Sequence, residues 1–440
     1  MSFKIKDSKS FMISMDLDNP FELGFGVLKN LPRVIYEITA TNGREEKKGF
    51  GEASIDFPFS NYDAWDIMYA LEKTNTAIKG IDVKERESLL GQNFITIYLK
   101  RFPAALCAFN MALDDIYGKC EEKTIFDIYG QTRLSGVALK SIGYKTKESL
   151  STKIGEIVRE GFIPKPKVGR SLEQDVDIIL LVDKRIKELN SQYTLDFNAC
   201  YSIKEFMELL DALKSKTNLS RCLIIEQPTI KDAGIDGICE VKNYALQEGF
   251  KMKFMADESF ITIKDAIYCS ENGILLNFKL QKIGGLCAAK EIEDELGERN
   301  LESMIGGTFP TAIGRTYDQQ ASCILKSAKL PGDGLLPSQE YFKYQKHLIK
   351  EDFQKKVSNG KKKVTPFSGF GLGINIVEEK LRRFLVSNPK EEYGLIRSNQ
   401  SGRKIKIILN EGHTYSELYK ELSGRSPDWN LNKENENNSI

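Results

Sequence analysis

Five ionisable residues recur at near-regular spacing through the middle of the chain. They are Lys167, Asp196, Glu226, Asp257 and Lys279, separated by 29, 30, 31 and 22 residues. Each stands at, or just before, the end of a short apolar run that reads as a β-strand, and each step is about one strand-plus-helix unit. Three carboxylates on consecutive strands form a hard oxygen-donor set suited to Mg²⁺, with Mn²⁺ as second choice. A lysine on either side of them can serve as acid or base once its amine is held near neutrality; the charge of Lys165 and a nearby metal would both depress the pKa of Lys167. The only histidines are His347 and His413, both late in the chain, so proton transfer in the central region falls to Lys, Asp, Glu, Tyr or Cys.

Side-chain parity places these groups together. Residues two apart on a strand share a face. Thr194, Asp196 and Asn198 share one, as do Ile224 and Glu226, Met255 and Asp257, and Lys165 and Lys167. Asn277, Lys279 and Gln281 face one way, whereas Leu276, Phe278 and Leu280 face the other. Taken singly, each acid reads as well as a solvated loop-end carboxylate, and a strand-end lysine as a surface side chain. Their repetition over successive units favours one shared site.

The elements that must position these residues follow from the same periodicity. Residues 33–40 and 47–54 read as strands joined at Asn42-Gly43, and 62–74 and 103–119 as helices, giving an α+β unit over 1–133. From 134 to 354 short strands at 137–144, 163–169, 193–198, 222–228, 253–259, 273–280 and 302–307 alternate with helical patterns such as 172–189 and 203–214. Such alternation predicts a parallel sheet closed into a (β/α) barrel, whose strand C-termini form the functional face. A doubly wound open sheet is the alternative, but no Gly-rich phosphate loop opens a helix. In an eight-stranded ring, Lys167 on the second strand and Lys279 on the sixth are diametrically opposed. Pro166, lacking an N–H, predicts a local bulge beside Lys167. Residues 355–363 read as a polar, lysine-rich link and 367–376 as a Gly-rich strand returning to the first unit, within a linker segment 355–395. The extension 396–440 holds a strand at 404–409, a helix capped by Thr414 and Glu417 and ended by Gly424, and a polar, disordered tail from 428.

Composition excludes other classes. Lys+Arg (63) and Asp+Glu (62) nearly cancel, which leaves no field for nucleic acid or an anionic membrane. No apolar run approaches a membrane span or a signal peptide. The eight cysteines form no CxxC pair and sit in apolar stretches, as reduced thiols of a cytoplasmic protein do.

Lys165-Pro-Lys167, Leu195-Asp196-Phe197-Asn198, Glu226-Gln227-Pro228, Asp257-Glu258-Ser259 and Lys279-Leu280-Gln281-Lys282-Ile283-Gly284-Gly285 together resemble the enolase superfamily, in its muconate-lactonizing subgroup. The resemblance spans about residues 20–390. It implies a modified TIM-type barrel with an N-terminal α+β capping domain, whose loops at 19–29 and 52–62 cover the barrel mouth. It also implies Mg²⁺ on Asp196, Glu226 and Asp257, Lys167 and Lys279 as bases, and an ene-diolate intermediate. Lys165, Asn198 and Asp333 would contact a small carboxylate substrate. Racemisation or epimerisation of an amino-acid derivative or dipeptide is the expected reaction. The alternatives are a dehydratase, a cycloisomerase or an o-succinylbenzoate synthase-like lyase, or a barrel retained for binding or scaffolding. Two positions depart from the dipeptide epimerase pattern. Pro310 stands where those enzymes carry a glutamate, and Pro331-Gly332-Asp333 keeps only the second acid of an ammonium-binding pair. A homo-oligomer stays open.

Overall fold

The computed structural model describes all residues except 1, 24–25, 56–59, 61, 63, 92–93, 145, 298, 300, 337–347, 387–394, 399–403 and 407–440. The expected helix at 414–424, the polar tail and parts of both mouth-covering loops lie outside the described residues.

The chain opens with an antiparallel meander of β1 (Lys4–Leu23), β2 (Gly26–Thr41) and β3 (Glu46–Ser54). The turn at Asn42-Gly43 forms as its residue types demand: the Asn42 side chain accepts from the amides of Arg44 and Glu45, and Gly43 takes φ +88°. Helices α1 (Ala64–Ile78), α2 (Arg86–Leu90), α3 (Phe94–Leu99), α4 (Pro103–Glu121) and α5 (Ile125–Tyr129) follow. α4 starts at Pro103, whose missing N–H costs nothing in a first turn, and it is buried along most of its length.

Asp114, at the centre of α4, ties four helices together. Fully buried, it accepts from Arg86, Asn110, Tyr129 and Tyr317, the last on the barrel side. Asp114→Ala would strand a buried guanidinium and three polar donors, so a loss of about 3–5 kcal/mol of stability is expected. Urea unfolding checks this; a loss below about 1 kcal/mol, the value of an exposed pair, would contradict it.

After the two-residue β4 (Gly136–Val137) the barrel strands are β5 (Leu139–Ile142), β6 (Ile163–Pro166), β7 (Tyr193–Asp196), β8 (Cys222–Glu226), β9 (Lys253–Ala256), β10 (Leu275–Phe278) and β11 (Ser303–Ile305). All neighbouring pairs with an assigned register are parallel. Residues 330–332 close the ring as its eighth member. Leu330 N–H bonds Ser303 O (3.1 Å), Gly332 N–H bonds Val137 O (3.0 Å) and Leu139 N–H bonds Gly332 O (3.2 Å). Helices α6 (Lys147–Arg159), α7 (Leu172–Glu188), α8 (Ile203–Lys214), α9 (Gly234–Gln247), α10 (Ile263–Glu271), α11 (Leu280–Ile283), α12 (Leu286–Leu296) and α13 (Ala312–Ile324) alternate with them. Inside the ring Leu139, Ile163, Ile224, Met255, Leu275 and Met304 pack as one buried layer. Lys165, Glu226, Asp257 and Asn277 each stand two residues beyond a member of that layer, as a two-residue period requires.

Pro166 does not cause a bulge. β5 and β6 keep an unbroken register from Leu139↔Ile163 to Ile142↔Pro166. The prolines act on the other edge. Lys167 N–H bonds Ile142 O and Val168 N–H bonds Asp196 O, so alternate amides point to opposite neighbours. Pro164 and Pro166 fall on the β7 side, where they remove two ladder donors. Among the described residues the backbone pairing between the ends of β6 and β7 is accordingly reduced to the bridge Lys167↔Asp196.

Two expectations for the later chain are corrected. The lysine-rich stretch is no open link but a hairpin, β12 (Gln354–Ser358) and β13 (Lys361–Thr365), and β13 pairs with β4. Asn359 and Gly360 at its tip take φ +52° and +68°, the conformations of a two-residue turn matched to strand twist. The Gly-rich 367–376 segment forms no strand, because Gly371 and Gly373 adopt φ +60° and +73° and Gly371 is pressed against Asp115. α14 (Glu378–Arg382) follows. β14 (Leu395–Ser398) and β15 (Lys404–Lys406) then extend the N-terminal sheet, β14 pairing with β2. Among the described residues no helix is long and apolar enough to cross a membrane, and all eight cysteines are unpaired.

Candidate active site

The strand ends bring the ionisable residues into two linked groups. In the first, the Lys165 ammonium lies 2.8 Å from Glu226 Oε2, 2.9 Å from Asp333 Oδ2 and 3.4 Å from Asp196 Oδ2. Lys167 reaches Asp196 Oδ2 from the end of the same strand, and Ser141 donates to Asp333 Oδ2 at 2.8 Å. In the second, Asp257 sits between Lys279 (2.7 Å to Oδ2) and Lys282 (2.8 Å to Oδ1). Asn277 joins the groups by donating to Glu226 Oε1 at 2.7 Å. Lys165, Asp196, Glu226, Asp257 and Asn277 are almost wholly buried. Lys167 and Lys279, on the second and sixth strands, stand on opposite sides of the ring.

Electrostatics separate the lysines. Burial works against a charged Lys165, but the carboxylates of Asp333, Glu226 and Asp196 outweigh it and hold its pKa well above the usual lysine value. Lys165 is therefore a fixed ammonium and no base. Lys282 spends its three N–H bonds on Asp257 O, Asp257 Oδ1 and Asn277 O and lies over the Phe260 ring, a structural cation. Burial, then the charge of Asp196, raises the Glu226 carboxyl, against the lowering pull of the Lys165 ammonium. Burial also opposes charge on Asp257 and Asp333. The Lys279 and Lys282 ammoniums hold Asp257 well below the usual range, and Lys165 and Lys167 hold Asp333 down to about 2.

Asn198 takes φ +45°; its amide donates to Asp196 Oδ1 (3.0 Å) and its side-chain nitrogen to Glu258 Oε1 (3.2 Å). Gln227, fully buried at φ +37°, fills all four side-chain bonds. It accepts from the amides of Asp257 and Ser259 and donates to Thr229 O and Ser259 Oγ, fixing the turn that presents Asp257. Strand parity had marked Asn277, but Ser141, Lys282 and the latch role of Gln227 depend on contacts between strands that no single run displays.

Among the described residues no three acidic, histidine or cysteine side chains are gathered closely enough to hold an ion as they stand, since lysine amines lie between the carboxylates. The donor chemistry nevertheless fits a hard divalent cation. Three acids on adjacent strand ends are buried together, and the side-chain oxygens Oδ1 of Asn198, Asn277 and Asp333 are buried without a hydrogen-bond donor.

Comparison with known proteins gives the family and the fold. A family model described as "Enolase C-terminal domain-like" matches residues 154–380. The chain is 24% identical over 385 residues to an o-succinylbenzoate synthase of Bacillus subtilis (strain 168), covering 85% of this chain and 95% of that one. It is 25% identical over 304 residues to an L-Ala-D/L-amino acid epimerase of Flavobacterium johnsoniae, covering 68% and 83%. A dipeptide epimerase from Cytophaga hutchinsonii, solved with Mg and the dipeptide D-Ala-L-Val, superposes with a TM-score of 0.74 at 19% identity, covering 87% and 98%.

Proposed function

The chain belongs to the enolase superfamily, and on that footing we propose that it moves the α-proton of a small carboxylate in a Mg²⁺-dependent racemisation or epimerisation. The observation that carries the reading is the pair of lysines on opposite walls of one ring, each against a buried carboxylate. Asp196, Glu226 and Asp257 would hold the Mg²⁺, which supplies positive charge to a carboxylate whose α-carbon loses its proton. Lys165, held charged and nearly inaccessible, orients the substrate carboxylate by a fixed positive field. Asn198 and Asp333 would contact the substrate. Lys167 removes or returns the proton on one face and Lys279 on the other. The buried surroundings keep water from delivering protons to the wrong face.

A second reading keeps the same first step and ends in elimination. Two observations favour it. The o-succinylbenzoate synthase relative aligns over more of the chain than the epimerase does. Asp333, moreover, is engaged by Lys165 and Ser141 rather than left open to a substrate ammonium.

Incubation in D₂O with Mg²⁺ and a panel of N-acyl amino acids, L-Ala dipeptides and β-hydroxy carboxylates, followed by NMR, tests the proposal. α-Deuterated product of inverted configuration is the expected result. A dehydrated product would transfer the assignment to the second reading, and no α-exchange anywhere in the panel with metal bound would count against both.

A further inference from the structure

The two lysines are anchored differently. Lys167 is held by barrel residues: its amide bonds Ile142 O and its side chain meets Asp196. Lys279 opens the short turn α11, whose backbone folds onto its carbonyl through Lys282 N–H (2.8 Å). That turn is fastened to the N-terminal unit at both ends. Gln281 accepts from Ser54 N–H at 2.9 Å and donates to Glu52 O at 3.0 Å, so one buried side-chain amide pairs with β3 as a strand neighbour would. At the far end Gly284 and Gly285, at φ +101° and +105°, lie flat on α4. A Cβ on them would fall 2.8 Å from Leu106 and 2.6 Å from Asn110 Oδ1, and Cys287 N–H bonds that same Asn110 oxygen at 2.9 Å.

The same β3 residue grips a second barrel loop. The fully buried Glu52 carboxylate accepts from Thr311 N–H (2.7 Å), Thr311 Oγ (2.6 Å) and Gly314 N–H (2.9 Å), at the start of α13. Arg33 beside it donates to the carbonyls of Thr308 and Phe309. The N-terminal unit therefore clamps the sixth- and seventh-strand ends of the barrel, where Lys279 resides. Among the described residues no hydrogen bond or ion pair ties it to Lys167.

We propose that Gln281 is a positioning residue through which the N-terminal unit holds Lys279 in place, and that Lys167 is set independently of it. The cap-to-barrel contact is then a lever on one proton-transfer group and not on the other. This rests on the reading above only in giving Lys279 a chemical role; its placement can be measured without turnover, so failure of one is distinguishable from failure of the other.

The test is trace acetylation of the full-length protein with acetic anhydride, quantified by mass spectrometry at each lysine. Gln281→Met keeps the volume and removes both bonds to β3. It should raise labelling of Lys279 by about 5- to 30-fold, the factor for losing one or two kcal/mol of local order, with Lys167 within about twofold. Backbone hydrogen exchange should rise over 279–287 and stay unchanged over 163–169. Gln281→Asn, which keeps the amide but draws it back from β3 by one methylene, should move Lys279 in the same direction, and it carries the test if the methionine variant does not fold. Equal rises at both lysines would show general loosening and overturn the proposal, as would no change at Lys279.

Discussion

Lys167→Ala and Lys279→Ala should each lower net inversion at a substrate α-carbon by roughly 10²- to 10⁴-fold, the usual contribution of a positioned acid or base. Inversion needs one group to take the proton and another to give one on the opposite face, so loss of either stops the full cycle. Polarimetry on a turned-over enantiomer checks it. Lys165→Ala should be equally damaging for a different reason. It removes the fixed ammonium on which Glu226, Asp196 and Asp333 converge, leaving the buried Glu226 without its counter-charge and Asp196 and Asp333 with Lys167 alone. The diagnostic contrast is stability. Lys165→Ala should unfold at markedly lower urea than the wild type, whereas Lys279→Ala should change little, because Lys282 still neutralises Asp257. Equal destabilisation of both would refute the distinction drawn between a structural and a reactive amine.

Removing the metal should have an effect of similar size. The dianion formed on losing an α-proton costs several kcal/mol without a cation, about a thousand-fold in rate. Chelation should abolish turnover, and Mg²⁺ should restore it. Asp257→Asn should weaken Mg²⁺ binding, read by calorimetry independently of turnover. Bound metal should also protect the fold, by about 2.7 kcal/mol at a hundred times Kd. Full activity in excess chelator, with metal content measured, would remove Asp196, Glu226 and Asp257 from the proposed role.

Much of this site was legible in the sequence because two periods intersect there. The two-residue period of a strand sorted Asp196 from Phe197 and Lys279 from Phe278, and the roughly thirty-residue repeat put the polar members on adjacent strand ends. Signals that depend on partners distant in sequence were not legible. Glu52 is an unremarked acid in β3 until the start of α13 closes on it, 259 residues later for Thr311. Pro166 suggests a bulge because a missing donor does not reveal, from the sequence, which neighbouring strand loses it. The hairpin at Asn359-Gly360 was hidden by a lysine run that reads as solvated linker. The apolar alternation of 367–376 suggests a strand, but the left-handed φ of Gly371 and Gly373 breaks it.

The measurement that bears most directly on the central claim is isotope exchange resolved by stereoisomer. With Mg²⁺ bound and in D₂O, NMR follows α-deuterium entering each enantiomer or epimer of a turned-over carboxylate, for wild type, Lys167→Ala and Lys279→Ala. Two opposed bases on one α-carbon predict that each variant loses exchange from one isomer and keeps it from the other, in mirror fashion. Loss of exchange from both isomers in one variant, with the other variant unaffected, would leave a single base at the site and contradict the account.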